Sequence, residues 1–246
     1  MESRESPKAN CRYERSFGAT KMPKRIEEVA VIIQARLGSQ RIPQKMIKPF
    51  AETTLTDIFL DKVKQCKSFP IENFFLSVYE QELISIGKSH GINIFQRSEE
   101  SANSEGTPMG LMYEWHDKLD FKYAVLINAC VPFLKPETID EFVEAYLVAE
   151  ETGMFAVMEK KNYFWNENME ILTPLTEDVM NTKTVQKTYE AAHCLYASRL
   201  DTIKDGVWMG DFKKSEIKLF PVEERECLDI DYPWQFNLCE SLWRAQ

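Results

Sequence analysis

The chain has 246 residues, of which 44% are hydrophobic and 28% charged, proportions that give a soluble globular protein with a sizeable core. No stretch approaches the roughly 18 consecutive apolar residues of a transmembrane helix, so a membrane span is not expected. The net charge of −9 is uneven: residues 1–26 carry seven basic and three acidic side chains, +4, which leaves −13 for the remainder. An acidic body argues against nucleic-acid binding, whose dominant energy is phosphate neutralisation. Any anionic ligand has to meet a local basic loop instead.

Six cysteines lie at 11, 66, 130, 194, 227 and 239 with no C-x-x-C, and the three histidines stand apart, so a zinc site is not expected. Scattered cysteines on apolar stretches and the lack of a secretory h-region indicate a cytoplasmic protein. Residues 1–27 mix Ser, Pro, Arg and Glu without periodicity, which predicts a flexible extension. One domain follows, over 28–246.

That domain begins with Val29–Ile33, apolar, β-branched and too short for a helix: a strand buried on both faces. A polar loop runs from Gln34 to Lys48, and Leu55, Ile58, Phe59 and Val63 then recur at helical spacing. Strands are predicted at Asn73–Val78, Ile92–Phe95 and Tyr123–Ile127. Helices are predicted at Glu80–His90, Gly110–Leu119 and Pro136–Glu150, the last opened by its proline. Strand–helix alternation of this kind predicts an α/β fold, a mostly parallel, Rossmann-like sheet with helices on both faces and ligands at the strands' carboxyl ends. After Gly153 the pattern loosens. Phe155–Met158, His193–Ser198 and Ile217–Phe220 read as strands, Asn162–Trp165 and Met169–Leu172 as the arms of a hairpin, and Pro233–Trp243 as the last helix. The apolar and aromatic surface of the hairpin, Lys160–Leu172, exceeds what one arm buries against the other, so it is expected to project into a dimer interface.

The loop after the first strand, Gln34-Ala-Arg-Leu-Gly-Ser-Gln-Arg-Ile-Pro-Gln-Lys45, places Arg36, Arg41 and Lys45 around a Gly38-Ser39 turn. Small residues and fixed cations at a strand end suit a polyphosphate. The loop is neither a Walker A nor a G-x-G-x-x-G motif, and a solvated basic turn is an equal alternative on these residues alone. Near the other end, Asp229 and Asp231 share a side of an extended segment and suit one Mg²⁺. Alternatively, Asp231 only caps the final helix.

Val31–Lys45 closely resembles the signature loop of the cytidylyltransferases that activate acidic sugars, the CMP-sialic acid and CMP-Kdo synthetases. Cys227–Phe236 is similar to that family's D-I-D segment. The resemblance implies a Mg²⁺-dependent homodimer that transfers CMP from CTP to an acidic sugar and releases pyrophosphate. It implies that Arg36, Ser39, Arg41 and Lys45 hold the triphosphate, with the Ala35 and Leu37 backbone near the base. Arg36, Lys45 and Asp231 are the catalytic candidates, and Asp229 and Asp231 the metal ligands. Arg97 would lie beside the nucleotide, and Asn128 would stand where relatives use Gln on the sugar. Other departures are Ser98 for Pro, Leu134 for Arg and Met46 for Asn. They keep open a catalytically degenerate nucleotide- or partner-binding relative, or a transferase with a non-sugar acceptor. His193 is read foremost as a hydrogen-bonded core histidine, and Lys160, Lys161 and Lys187 as surface lysines with a lesser claim on a sugar carboxylate.

Overall fold

In the computed structural model, residues 23–103, 106–174, 181–208, 210 and 216–246 are described. Seven described strands form one sheet: β1 Val29–Gln34, β2 Phe74–Val78, β3 Asn93–Gln96, β4 Tyr123–Ile127, β5 Gly153–Lys160, β6 Thr188–Arg199 and β7 Ile217–Pro221. Their order is β3-β2-β1-β4-β6-β5-β7. β1 pairs in parallel with β2 and β4, β2 with β3, and β5 with β7. Only β6, among these strands, runs against its neighbours β4 and β5.

β1 shows why the sheet is covered on both faces. Val29, Val31 and Ile33 enter one apolar cluster, and Ala30 and Ile32 enter the other. The period-two alternation of a strand divides a continuous apolar run between two cores. The larger cluster takes in α1 (Leu55–Gln65), α2 (Gln81–Ser89) and Ile139, Phe142, Val143 and Tyr146 of the helix Pro136–Leu147. α1 begins where Thr54 accepts the Asp57 N–H at 3.1 Å, and it buries Leu55, Ile58, Phe59 and Val63 at the expected spacing.

The smaller cluster centres on Trp115, Trp208 and Phe95. It replaces the single helix predicted over Gly110–Leu119. A short α-turn, α4 (Met109–Met112), gives way at Tyr113 to a 3-10 turn, Glu114–His116, which turns Trp115 inward. An additional short helix, α3 (Glu99–Ala102), lies in the predicted loop, capped by the Ser98 hydroxyl. The helix that opens at Pro136, α5, stops at Leu147 rather than Glu150. There the Lys24 ammonium donates to the carbonyls of Tyr146, Ala149 and Glu151, so the chain's own lysine closes the helix end. Residues 1–22 of the expected extension lie outside the described residues. Residues 24–28 belong to the body, with Ile26–Glu28 forming a 3-10 turn into β1.

Asn162–Trp165 and Met169–Leu172 do not form regular strands. They are joined by one bridge, Trp165 with Ile171, around a turn in which Met169 adopts φ 64°. Buried Thr173 pins the base, accepting the Phe164 N–H at 2.9 Å and donating to the Asn162 carbonyl at 3.2 Å. Trp165, Met169, Ile171 and Leu172 are all exposed. The last helix, α6 (Pro233–Arg244), packs Phe236 and Cys239 inward, and Phe236 meets Phe50 edge to face.

Candidate functional site

Strand order reverses at β1, where β2 and β4 diverge, and the loop after β1 opens at the carboxyl end of that switch point. The loop is a compact piece of structure. Ile42 and Met46 are buried, Gln44 takes φ 53°, and the Met46 carbonyl accepts both the hydroxyl and the N–H of Thr56 in α1. Met46 therefore serves packing, which accounts for an apolar residue at that position.

A cleft of about 440 Å³ is lined by Ala35, Arg36, Ser39, Arg41, Lys45 and Asp231, together with Cys130. The predicted cations and one predicted carboxylate thus meet across a sequence separation of nearly the whole domain. Lys45 is 9% exposed, and its ammonium donates to the Ile230 carbonyl and lies 3.9 Å from Asp231 Oδ1. Arg41 Nη2 donates to the same Asp231 oxygen at 2.9 Å, and its guanidinium sits 4.9 Å above the Tyr232 ring. Arg36 reaches the Ala102 carbonyl at 3.4 Å.

Asp231 does not cap α6 with its carboxylate. Gln235 accepts the N–H groups of Asp231 and Tyr232 at 2.8 and 2.7 Å, and the aspartate is left to face the cleft. Between the two aspartates, Ile230 is fully buried and its N–H donates to the Cys130 carbonyl at 2.9 Å. Ile230 packs inward, Asp231 faces the cleft, and Asp229 is half-buried beside Asn128. Asp229 Oδ1 is buried without a hydrogen-bond partner, and Asn128 Nδ2 reaches Oδ2 at 3.4 Å. Burial, reinforced by the Asp231 charge, raises the Asp229 carboxyl above the usual aspartate value. Such an oxygen fits a hard cation. No group of three or more His, Cys, Asp or Glu converges among the described residues.

Other predicted groups are engaged within the protein. Asn128 donates to the His193 carbonyl at 2.9 Å and accepts the Cys130 N–H at 2.8 Å, so its amide ties the end of β4 to β6. The Leu37 N–H is taken by Glu80 Oε1 at 2.6 Å, and the Ala35 N–H by the Ser77 carbonyl at 3.1 Å. Arg97 is buried and donates to the carbonyls of Ala35 and Ser101 at 2.9 and 3.2 Å. Burial pushes its guanidinium down to about 10, and its Nε has no partner. Arg97 lines a second cavity, of about 200 Å³, with Gln34, Arg36 and Met112.

His193 is not a core histidine. It is exposed, takes φ 53° at a bulge between β5 and β6, and places Nδ1 3.3 Å from the Tyr196 hydroxyl. Lys160 is paired with Glu224 and Glu190, Lys187 pairs with Glu159 at 2.7 Å, and Lys161 is exposed. Tyr232, Gln235 and Glu80 were missed in the sequence reading. Gln235 did carry a signal, as the third residue of a helix opened by proline.

A cytidylyltransferase family model matches residues 30–242. The chain belongs to the cytidylyltransferase family. Among its relatives, N-acylneuraminate cytidylyltransferase A of Danio rerio is 24% identical over 232 residues, 89% of this chain and 52% of that protein. The spore coat polysaccharide biosynthesis protein SpsF of Bacillus subtilis is 24% identical over 127 residues, 49% of this chain and 50% of that protein. The chain thus spans about half the length of these two relatives. 3-Deoxy-manno-octulosonate cytidylyltransferase of Rickettsia felis is 25% identical over 210 residues, covering 79% of this chain and 75% of the relative. The solved structure of CMP:2-keto-3-deoxy-manno-octonic acid synthetase complexed with CTP superposes with a TM-score of 0.64 at 12% identity, over 89% of this chain and 99% of that one. That likeness shows a shared fold. No helix among the described residues is long and apolar enough to cross a membrane.

Proposed function

We propose that this cytidylyltransferase-family protein transfers CMP from CTP to a hydroxyl of an acidic sugar, releasing pyrophosphate. The observation that carries the reading is the meeting of Arg36, Arg41, Lys45 and Asp231 in one cleft at the switch point. The acceptor oxygen attacks the α-phosphorus, the α–β bridging P–O bond breaks in line, and the hydroxyl proton passes to solvent. Arg36, Arg41 and Lys45 hold the triphosphate and stabilise charge gathering on the leaving pyrophosphate, with Ser39 at the turn. Lys45 is best placed for this, since it is nearly buried and fixed by the Ile230 carbonyl. Asp229 and Asp231 would hold Mg²⁺, which supplies Lewis-acid neutralisation of phosphate oxygens when bound. The smaller cavity beside Arg97 suits the base, whose acceptor atoms would meet the unpartnered Nε–H. Asn128 supports the site through Asp229 and the His193 backbone instead of touching the acceptor.

The exposed Trp165, Met169, Ile171 and Leu172 support a homodimer that packs the hairpin between subunits. Five free cysteines among the described residues support a cytoplasmic setting. The test is pyrophosphate release from CTP across a panel of ulosonic and nonulosonic acids with Mg²⁺. Release with at least one such acid is expected. CTP binding without release from any of them would overturn the acidic-sugar assignment.

A transferase with another acceptor is the second reading. It is favoured by the engagement of Asn128 with the His193 carbonyl and the Cys130 N–H, which removes one expected acceptor contact.

A further inference from the structure

We infer that the Arg41–Asp231 ion pair makes nucleotide binding precede divalent-metal binding, because Asp231 becomes a metal ligand only after a triphosphate has drawn Arg41 away. The inference rests on the nucleotide and metal assignments of the preceding section and concerns how the two sites communicate.

In the ligand-free cleft, one oxygen of Asp231 serves two cations. Arg41 Nη2 lies 2.9 Å from Oδ1 and Lys45 Nζ 3.9 Å from it. A dication approaching this oxygen meets a neutralised carboxylate and two positive charges. Asp229, with its unpartnered Oδ1, is then the only carboxylate of the pair left uncompensated. One carboxylate is a poor Mg²⁺ site without phosphate oxygens to complete it.

The two cations differ in freedom. The Lys45 side chain is 11% exposed and anchored on the Ile230 carbonyl, so it stays in place. The Arg41 and Asp231 side chains are 51% and 41% exposed, and a pair this wet contributes little to stability, so it exchanges at low cost. A triphosphate offers several anionic oxygens in the geometry that a guanidinium fork matches, and it outcompetes a single carboxylate for Arg41. Once Arg41 has turned to phosphate, Asp229 and Asp231 flank buried Ile230 with only Lys45 to balance them. The carboxylate pair then attracts a hard dication. By linkage, the bound metal strengthens nucleotide binding by the same factor.

The test isolates this exchange from the affinity of metal for phosphate by omitting nucleotide. Mn²⁺ is titrated into the nucleotide-free protein and followed by electron paramagnetic resonance. Arg41→Gln is expected to bind Mn²⁺ about fivefold or more tightly than the wild type, in the range of ordinary coupling energies. The gain should vanish in Arg41→Gln/Asp231→Asn. In the opposite direction, Asp231→Asn should bind metal-free CTP in EDTA more tightly than the wild type, and this second gain should be absent without Arg41. An unchanged or weaker Mn²⁺ affinity in Arg41→Gln, or a gain that survives loss of Asp231, overturns the inference. Failure of wild-type protein to bind CTP at all would sink the nucleotide assignment instead, while the Mn²⁺ titrations still decide the exchange.

Discussion

Gln235 Oε1 accepts the backbone N–H of Asp231 at 2.8 Å, and this bond leaves the Asp231 carboxylate for Arg41. Aspartate before a helix is ordinarily a good cap. Here the helix receives its cap from within, three residues into its own first turn.

Replacing Gln235 with Ala therefore has two expected effects. The N-terminus of α6 loses an acceptor for two N–H groups, which costs about 1 kcal/mol of stability. The freed Asp231 turns back to cap the helix and leaves the cleft, so turnover falls roughly tenfold or more. Denaturant titration and pyrophosphate release measure the two. A loss of stability with full activity would refute the second effect.

Lys45→Ala separates catalysis from folding. Removing the ammonium leaves the Ile230 carbonyl without this donor, a cost of about 1–3 kcal/mol. Pyrophosphate release is expected to fall about 10²-fold or more, because a fixed cation at the leaving group is lost. Retained release would show that Lys45 serves packing.

Stability at low pH tests the start of β1. Glu28 bridges Lys122 at 2.5 Å and Arg25 at 3.2 Å, and these partners, Lys122 foremost, lower its carboxyl from 4.5 to about 2. A depressed carboxyl contributes stability above its unfolded value and loses it as pH falls through the folded one. The melting temperature of Glu28→Gln should therefore lie below wild type at neutral pH. The gap should close between about pH 5 and about pH 2. A gap independent of pH would place the effect elsewhere.

Trp165→Glu tests the hairpin. Trp165 is 53% exposed and beside Ile171, so the substitution costs the subunit little but puts a charge into any interface. Light scattering should show a dimer for the wild type and a 28.7 kDa monomer for the variant. A fully active wild-type monomer at micromolar concentration would remove the interface.

What the sequence made legible was decided by local chemistry. β1 and α1 follow from unbroken periodicity, whereas the cationic loop, equally readable as a solvated turn, takes its use from the resemblance. The convergence of Lys45 with Asp231 was legible only through resemblance, since spacing says nothing about contacts made across the whole domain. Other features depended on tertiary partners. Trp115 breaks the predicted helix because it packs against Tyr113 and Trp208. β6 runs five residues further toward the N-terminus than the predicted His193–Ser198 strand and continues one residue beyond it, because pairing with β5 carries an amphiphilic segment into the sheet. The left-handed conformation of His193 and the engagement of Asn128 arise together at that bulge, where no sequence signal marks them.

The contact of Lys45 with the Ile230 carbonyl spans 185 residues, and this sets a schedule for the newborn chain. At about 5–20 residues per second, the ribosome delivers the second partner roughly 10–40 s after the first. Through that interval the basic loop has been made, but neither acidic residue opposite it exists. The cleft between this loop and Asp231 is consequently among the last features to assemble. A nascent chain stalled before residue 229 holds three cations with no internal counter-charge from this segment, a state open to cellular polyanions until translation resumes.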